Sequence, residues 1–368
     1  MTPVTDIVEY SRTLILNSQM PTGAYPACEN FSAYRGFCWL RDGSFTADAM
    51  SSIGEEESAT AFFDWCATAV ENNDSLIRRV VALSSTRHPI PDEQMLPTRY
   101  RFDTTWGNDD WWDFQLDGYG TWIWAALNHA RRSPVDPLRW AEALRLTVEY
   151  LVSSWKRPCY DWWEEHSEHI HISTLGCIAA GLAAALDSTI LDSDLSERTA
   201  HTHTEIVDTI VTQGVRDGHL IKWIGSDRLD GSLSALLSPL SVIDPCSQIG
   251  RATIRAIESE LVTDGGVYRF LGDTYFGGGR WPLLTCFLGL AKNAAGEREG
   301  AITCLDWSVA SASASGDLPE QVDGGLLLAP ERKQQWVNKW GPVATPLLWS
   351  HGMVVRLAAE LDATKGEQ

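Results

Sequence analysis

The sequence predicts an all-α fold, a toroid of helical hairpins. Three observations predict it. About a dozen stretches repeat their apolar residues at the helical period. Strand signals are few, with Leu220-Ile221-Lys222-Trp223-Ile224 the best of them. Short turns alternate with long loops rich in aromatic residues or glycine. That alternation suits inner helices framing a funnel, outer helices wrapping them, and loops crowding one end. A helical solenoid or an irregular bundle is the plainer alternative. No repeat of fixed period is visible, and no Pro- or Ser-rich linker divides the chain. Residues 1–368 are therefore read as one domain.

Thr2-Pro3 reads as N-cap and first position of a helix with Val4, Ile7, Leu14 and Ile15 on one side, stopping near Asn17-Ser18. Residues 19–38 are loop-like, with Pro21, Gly23 and Pro26. Phe37-Cys38-Trp39-Leu40-Arg41-Asp42 leads into a helix from about Ser44 to Ser52, and 55–85 is helical. A polar and aromatic loop over about 86–113 contains Trp106, Asp109, Asp110, Trp111 and Trp112; loops of this length inside a compact domain are usually functional. Gln115 to about Arg131 is helical. Asp136-Pro137 caps the next helix, where Leu144, Val148, Leu151, Val152 and Trp155 keep the period. From Ser173 to about Leu186 the small residues Gly176, Ala179, Ala180, Gly181, Ala183 and Ala184 predict close packing on neighbours. Further helices are expected over 196–215 and near 247–261, 281–294 and 297–312. Thr345-Pro346 caps a last one, to about Leu361.

The 368 residues carry a formal net charge of −20, and 17 of them are Trp. So acidic a surface repels phosphate backbones and anionic lipid, which disfavours nucleic acid and membranes as partners. Neutral substrates fit it well, and a Trp-rich, acid-rich, lysine-poor composition is common among carbohydrate-active proteins. Asp6 and Glu9 interrupt the first apolar run, so no signal peptide is read, and no apolar stretch is long enough to span a bilayer. The eight cysteines are scattered without CxxC spacing, as free thiols in a cytoplasmic protein would be.

Five blocks gather acids, arginines and tryptophans. The first is Trp39-Leu40-Arg41-Asp42; an Arg–Asp pair beside Trp can hydrogen-bond vicinal sugar hydroxyls strongly, although Asp42 also suits the N-cap of the helix that follows. The second is Trp111-Trp112-Asp113-Phe114-Gln115-Leu116-Asp117-Gly118-Tyr119-Gly120. The third, Cys159-Tyr160-Asp161-Trp162-Trp163-Glu164-Glu165, puts two carboxylates beside flat indole faces that suit the C–H faces of a sugar. Partial desolvation there would raise a carboxyl pKa, as a proton donor needs; the bland alternative is a helix start with Glu in its first turn. The fourth runs from Tyr268-Arg269 through Asp273-Thr274-Tyr275 and Gly277-Gly278-Gly279 to Trp281. Its glycines lack the GxxxxGK[ST] pattern and a preceding strand, so it is no phosphate loop. The fifth is Asp317-Leu318-Pro319-Glu320-Gln321-Val322-Asp323.

These blocks, in this order over about residues 20–360, resemble glycoside hydrolase family 15, the glucoamylase-like family, and most closely its compact bacterial isomaltose glucohydrolase-type members. Trp39-Leu40-Arg41-Asp42 looks like the WxRD motif, and Tyr160-Asp161-x-Trp163-Glu164-Glu165 like the YDxWEE segment. Glu320-Gln321 looks like the segment carrying the general base, with Pro319 where the family has Gly. The resemblance implies an (α/α)6 double barrel and inverting exo-attack on short α-1,6-linked glucosides, releasing β-glucose. It implies Glu164 as general acid, and Glu165 as a sugar ligand whose charge helps keep Glu164 protonated. Glu320 becomes the general base. Arg41, Asp42 and Arg269 bind the non-reducing glucose, and Trp39, Trp111, Trp163 and Trp281 wall the pocket. An inverting pair needs about 6.5–9.5 Å between its carboxyl groups. No metal or cofactor is expected; the partners are a small oligosaccharide and the glucose product.

Other readings are an exo-hydrolase of α-1,4-glucan oligosaccharides or trehalose, a phosphorylase, and a sugar-binding toroid without catalysis. The presence of both Glu164 and Glu320 argues against the last two. His166, His169 and His171 resemble a zinc set, but their spacing equally suits surface turns or sugar contacts. Trp336 and Trp340, in a stretch read as a loop over 331–344, suit either the core or a lid.

Overall fold

The computed structural model describes residues 4–108, 111 and 114–365. The Thr2-Pro3 reading, and the acids and tryptophan at 109, 110, 112 and 113, lie outside them. In chain order the helices are α1 (Val4–Ser18), α2 (Leu40–Ser52), α3 (Glu56–Glu71), α4 (Asp74–Ser85), α5 (Asp117–Arg132), α6 (Ala141–Ser154) and α7 (Ile172–Leu186). They continue as α8 (Ser193–Gln213), α9 (Ser234–Leu237), α10 (Gln248–Leu261), α11 (Pro282–Ala294), α12 (Arg298–Ala310), α13 (Pro330–Trp340) and α14 (Leu348–Lys365). The strands are short: β1 (Phe37–Trp39), β2 (Arg99–Arg101), β3 (Val215–Arg216), β4 (His219–Leu220), β5 (Val262–Thr263), β6 (Gly266–Tyr268) and β7 (Arg280–Trp281).

Several boundaries differ from the sequence reading. The stretch 55–85 breaks into α3 and α4 at Asn72-Asn73, where the Asn73 amide turns back to the Ala69 carbonyl. The helix expected from Ser44 starts at Leu40, so Asp42 sits in its first turn and Trp39 holds the N-cap position. The strand expected over 220–224 ends at Leu220; just beyond it the Lys222 N–H donates to the Arg228 carbonyl and its buried ammonium pairs with Asp230. Residues 331–344 form α13 rather than a loop. The signal was present: Pro330 at the first helical position, Glu331 in the first turn and Lys339 in the last.

The chain forms two compact units, one of residues 4–18, 26–36 and 215–365 and the other of 19–25 and 37–214. In the second, α5 lies against both α2 and α7. Glycine makes that approach possible. A Cβ on Gly120 would run into the Cys177 carbonyl, one on Gly181 into the Gly120 carbonyl, and one on Gly118 would stand 3.1 Å from the Arg41 backbone nitrogen. The close packing expected of α7 is therefore a backbone-to-backbone crossing. Gly120→Ala is expected to destabilise the protein by at least the ~1–3 kcal/mol of ordinary overpacking, because backbone cannot swing aside. A denaturation midpoint equal to the parent's would contradict that.

In the first unit α14 packs on α1, α11 and α12 and is apolar around much of its circumference, burying Leu348, Trp349, Met353, Val354, Val355 and Leu357. β6 pairs with both β5 and β7, and Arg280 of β7 bridges to Val322. Among the described residues no helix is long and apolar enough to cross a membrane.

Candidate active site

In the 37–214 unit, antiparallel pairing sets Trp39 of β1 opposite Arg99 of β2. The next turn of chain begins α2 and carries Arg41 and Asp42. Arg41 is buried; its Nη1 donates to Gln115 Oε1 at 2.6 Å and to both Asp117 oxygens at 3.1 Å, and its Nε lies 3.6 Å from Asp42 Oδ2. Asp117 thus anchors the arginine from the first turn of α5. Burial pushes the Asp42 carboxyl up to about 7 against the pull of Arg41.

Glu164 lies on a tight turn before α7, not at the start of a helix. Asp161 builds that turn: its Oδ1 accepts from the backbone N–H of Trp163 and of Glu165, both at 2.9 Å, while its own N–H donates to the Glu165 carbonyl. Glu164 takes up φ +62°, a left-handed conformation costly for a side chain this size, which the Asp161 cap over-determines. Its Oε1 accepts from the Trp39 indole N–H at 2.5 Å. Burial raises the Glu164 pKa, and it is the largest cause; hydrogen bonds from Trp39 and Trp111 and the charges of Arg41 and Arg99 pull the other way. The Arg99 guanidinium stacks over Phe37 at 3.9 Å and Trp111 at 4.5 Å, with Trp39 at 5.5 Å. Trp163 packs edge-on to Trp162, and Glu165 is about a third exposed beside His166.

The three histidines serve the same loop. The ring of buried His171 donates through Nε2–H to the His166 carbonyl at 2.9 Å, and His166 itself sits at φ +55°. Among the described residues no group of three or more His, Cys, Asp or Glu is placed to hold a metal ion.

The other unit holds the second set. Arg269, just after β6, is clamped by Asp273 through two hydrogen bonds of 2.8 and 2.5 Å, and its guanidinium faces the rings of Tyr275 at 5.1 Å and Trp281 at 5.4 Å. Glu320 is buried, and its Oε1 accepts from the Tyr34 hydroxyl at 2.7 Å. The Tyr275 hydroxyl lies 3.1 Å from that of Tyr34 and is hydrogen-bonded to Glu320 as well, so both phenols serve this carboxylate. Burial and the Glu320 charge hold both phenols well above their ordinary pKa. Gln321 ties the segment to the glycine run, accepting from Gly279 N–H and donating to the Tyr275 carbonyl. Trp336 of α13 meets Tyr275 edge-on at 4.9 Å, so it packs on this cluster rather than in a core. Sequence reasoning missed Tyr34, Arg99 and the turn-building role of Asp161. Tyr34 has no local signal, because its partner is 286 residues away.

The fold is that of the all-α (α/α)6 glycosidases. The glucoamylase of Saccharomycopsis fibuligera, 14% identical, superposes with a TM-score of 0.73 over 99% of this chain and 96% of that one. A glycosidase variant solved in complex with glucose reaches a TM-score of 0.95 at 44% identity, over 98% and 97% of the two chains. The isomaltose glucohydrolase of Kribbella flavida is 45% identical over 357 residues, 97% of this chain and 92% of that protein. Residues 7–323 match the family described as "Glycosyl hydrolases family 15". The chain belongs to glycosyl hydrolase family 15 and is a hydrolase of glycosides.

Proposed function

We propose that the protein is an inverting exo-α-glucosidase that releases β-glucose from the non-reducing end of short α-1,6-linked glucosides such as isomaltose. The observation that carries this reading is the 45% identity to an isomaltose glucohydrolase over nearly the full length of both chains. Glu164 protonates the glycosidic oxygen; its buried, indole-lined turn favours the neutral acid that this step needs. Glu320 accepts a proton from the water that attacks the opposite face of the ring. Arg41, Asp42, Glu165 and Arg269 bind the glucose hydroxyls, and Trp39, Trp111, Trp163 and Trp281 wall the pocket. The partners are an oligosaccharide and glucose, with nucleic acid disfavoured by the net charge of −20. A cytoplasmic setting belongs to the same proposal and rests on eight unpaired cysteines, seven of them buried.

A proton NMR time course on isomaltose, with maltose and trehalose in parallel, tests the reading. β-Glucose is expected first, and fastest from isomaltose. Early α-glucose would mean retention and remove the base role of Glu320. Faster release from maltose or trehalose would replace the linkage. No glucose from any of the three would move the substrate to a longer or unusual glycoside.

The general acid also predicts a pH effect. Arg99 favours the ionised form of Glu164. Arg99→Leu removes that charge, so the Glu164 pKa rises further and the acid stays protonated to higher pH. The alkaline limb of the kcat profile, which reports the acid in the substrate complex, is expected to move up. A limb that stays in place or moves down would contradict this.

A further inference from the structure

The segment that carries Glu320 has almost no secondary structure of its own, yet four backbone polar groups from Leu318 to Glu320 have defined partners. The Leu318 N–H donates to His351 Nε2 at 2.9 Å. The Leu318 carbonyl accepts from the Leu347 N–H at 2.9 Å. Pro319 has no N–H to satisfy, and its carbonyl accepts from the Ser350 hydroxyl at 2.9 Å. The Glu320 N–H donates to the Ala344 carbonyl at 2.9 Å. Three of these four partners come from the first turn of α14 and the residue before it. Buried backbone groups are expensive to leave unpaired, so this turn of helix dictates where the segment runs.

Only one of the partners is a ring, and its chemistry is constrained. A backbone N–H can only donate, so His351 Nε2 must be an unprotonated acceptor. The proton of the neutral ring is then on Nδ1, which lies 2.8 Å from Ser11 Oγ of α1. Ser11 and His351 are both fully buried. The Tyr10 ring stands 6.0 Å from the imidazole, and its hydroxyl donates to Asp317 at 2.6 Å. Asp317 and Tyr10 are thus the titratable groups facing His351. Burial lowers the His351 pKa to about 3 against the opposing charge of Asp317, so the acceptor nitrogen is available throughout the neutral range.

We propose that His351, held as the Nδ1–H tautomer by Ser11, is a positioning residue for the catalytic base: through the Leu318 N–H it sets the place of the Glu320 carboxylate. This rests on the reading of Glu320 as base. His351 touches neither substrate nor the reacting atoms. It acts through three residues of backbone, and a displacement of about 1 Å at a catalytic group can cost about 10²-fold in rate.

The test compares His351→Leu, which removes the acceptor, with His351→Gln, whose amide oxygen can accept from the same N–H. His351→Leu is expected to lower kcat on isomaltose by about 10–100-fold while KM and glucose affinity stay within about 2-fold. His351→Gln is expected to recover most of the loss. On α-glucosyl fluoride, whose leaving group needs no proton but whose attacking water still needs a base, His351→Leu should lose as much as on isomaltose. Near-parental kcat in His351→Leu, equal losses in both variants, or a matching loss of glucose affinity would each overturn the proposal. Should His351→Leu not fold, nitrogen-15 spectra of the parent's imidazoles decide it: the proton of His351 is expected on Nδ1 at neutral pH, and a proton on Nε2 overturns the proposal. Glu320→Gln run alongside separates the two readings. If it is inactive while His351→Leu is normal, the positioning role alone fails; if it is active, the base assignment fails and the positioning role with it.

Discussion

Glu164→Gln is expected to lower kcat on isomaltose by about 10²–10⁴-fold, a loss of ~3–5 kcal/mol in transition-state stabilisation. Fold should be unchanged. The amide oxygen of Gln can still accept from the Trp39 indole, and the Asp161 cap that holds the turn involves only backbone at 163 and 165. What is lost is the proton. The alkoxide leaving group of isomaltose cannot depart readily without one, whereas fluoride can. The variant should therefore regain most of its rate on α-glucosyl fluoride. That selective recovery separates a lost acid from a damaged pocket, in which both substrates suffer alike. Near-parental activity on isomaltose would remove Glu164 from the role.

Glu320→Gln is expected to cost a similar factor, again about 10²–10⁴-fold, but with no recovery on the fluoride. Inversion requires water to attack, and the attacking water must lose its proton whatever the leaving group. The substitution is nearly isosteric, and the amide oxygen can still accept from the Tyr34 hydroxyl, so that hydrogen bond is preserved. The backbone ties of the segment are untouched as well. Recovery on the fluoride would make Glu320 part of the acid arm, and unchanged turnover of isomaltose would leave the base unassigned.

Much of this was legible in the sequence because it is local. Helical periodicity, caps such as Asp136 before Pro137, and the glycine and alanine run of α7 all act within a turn or two of chain. The acid–tryptophan blocks were legible as a resemblance of motifs, each a short stretch. Tertiary structure decided the rest. Asp161 reads as one more acid beside an indole, but only the folded turn makes it a cap that holds Glu164 at φ +62°. Lys222 reads as part of a strand, yet in the fold its backbone turns to Arg228 and its buried ammonium pairs with Asp230. Tyr34, Arg99 and His351 carry no motif at all. Each acquires meaning from a partner tens or hundreds of residues away: Glu320, the rings of Phe37 and Trp111, the Leu318 N–H. Local propensity and spacing act within about a turn of chain, so the sequence alone settles most of the helices, though not α13 or the extent of the strand expected over 220–224. Desolvation and hydrogen-bond satisfaction depend on what else is packed alongside. Which carboxyl holds a proton, and where its partner stands, is therefore decided only when the chain has folded.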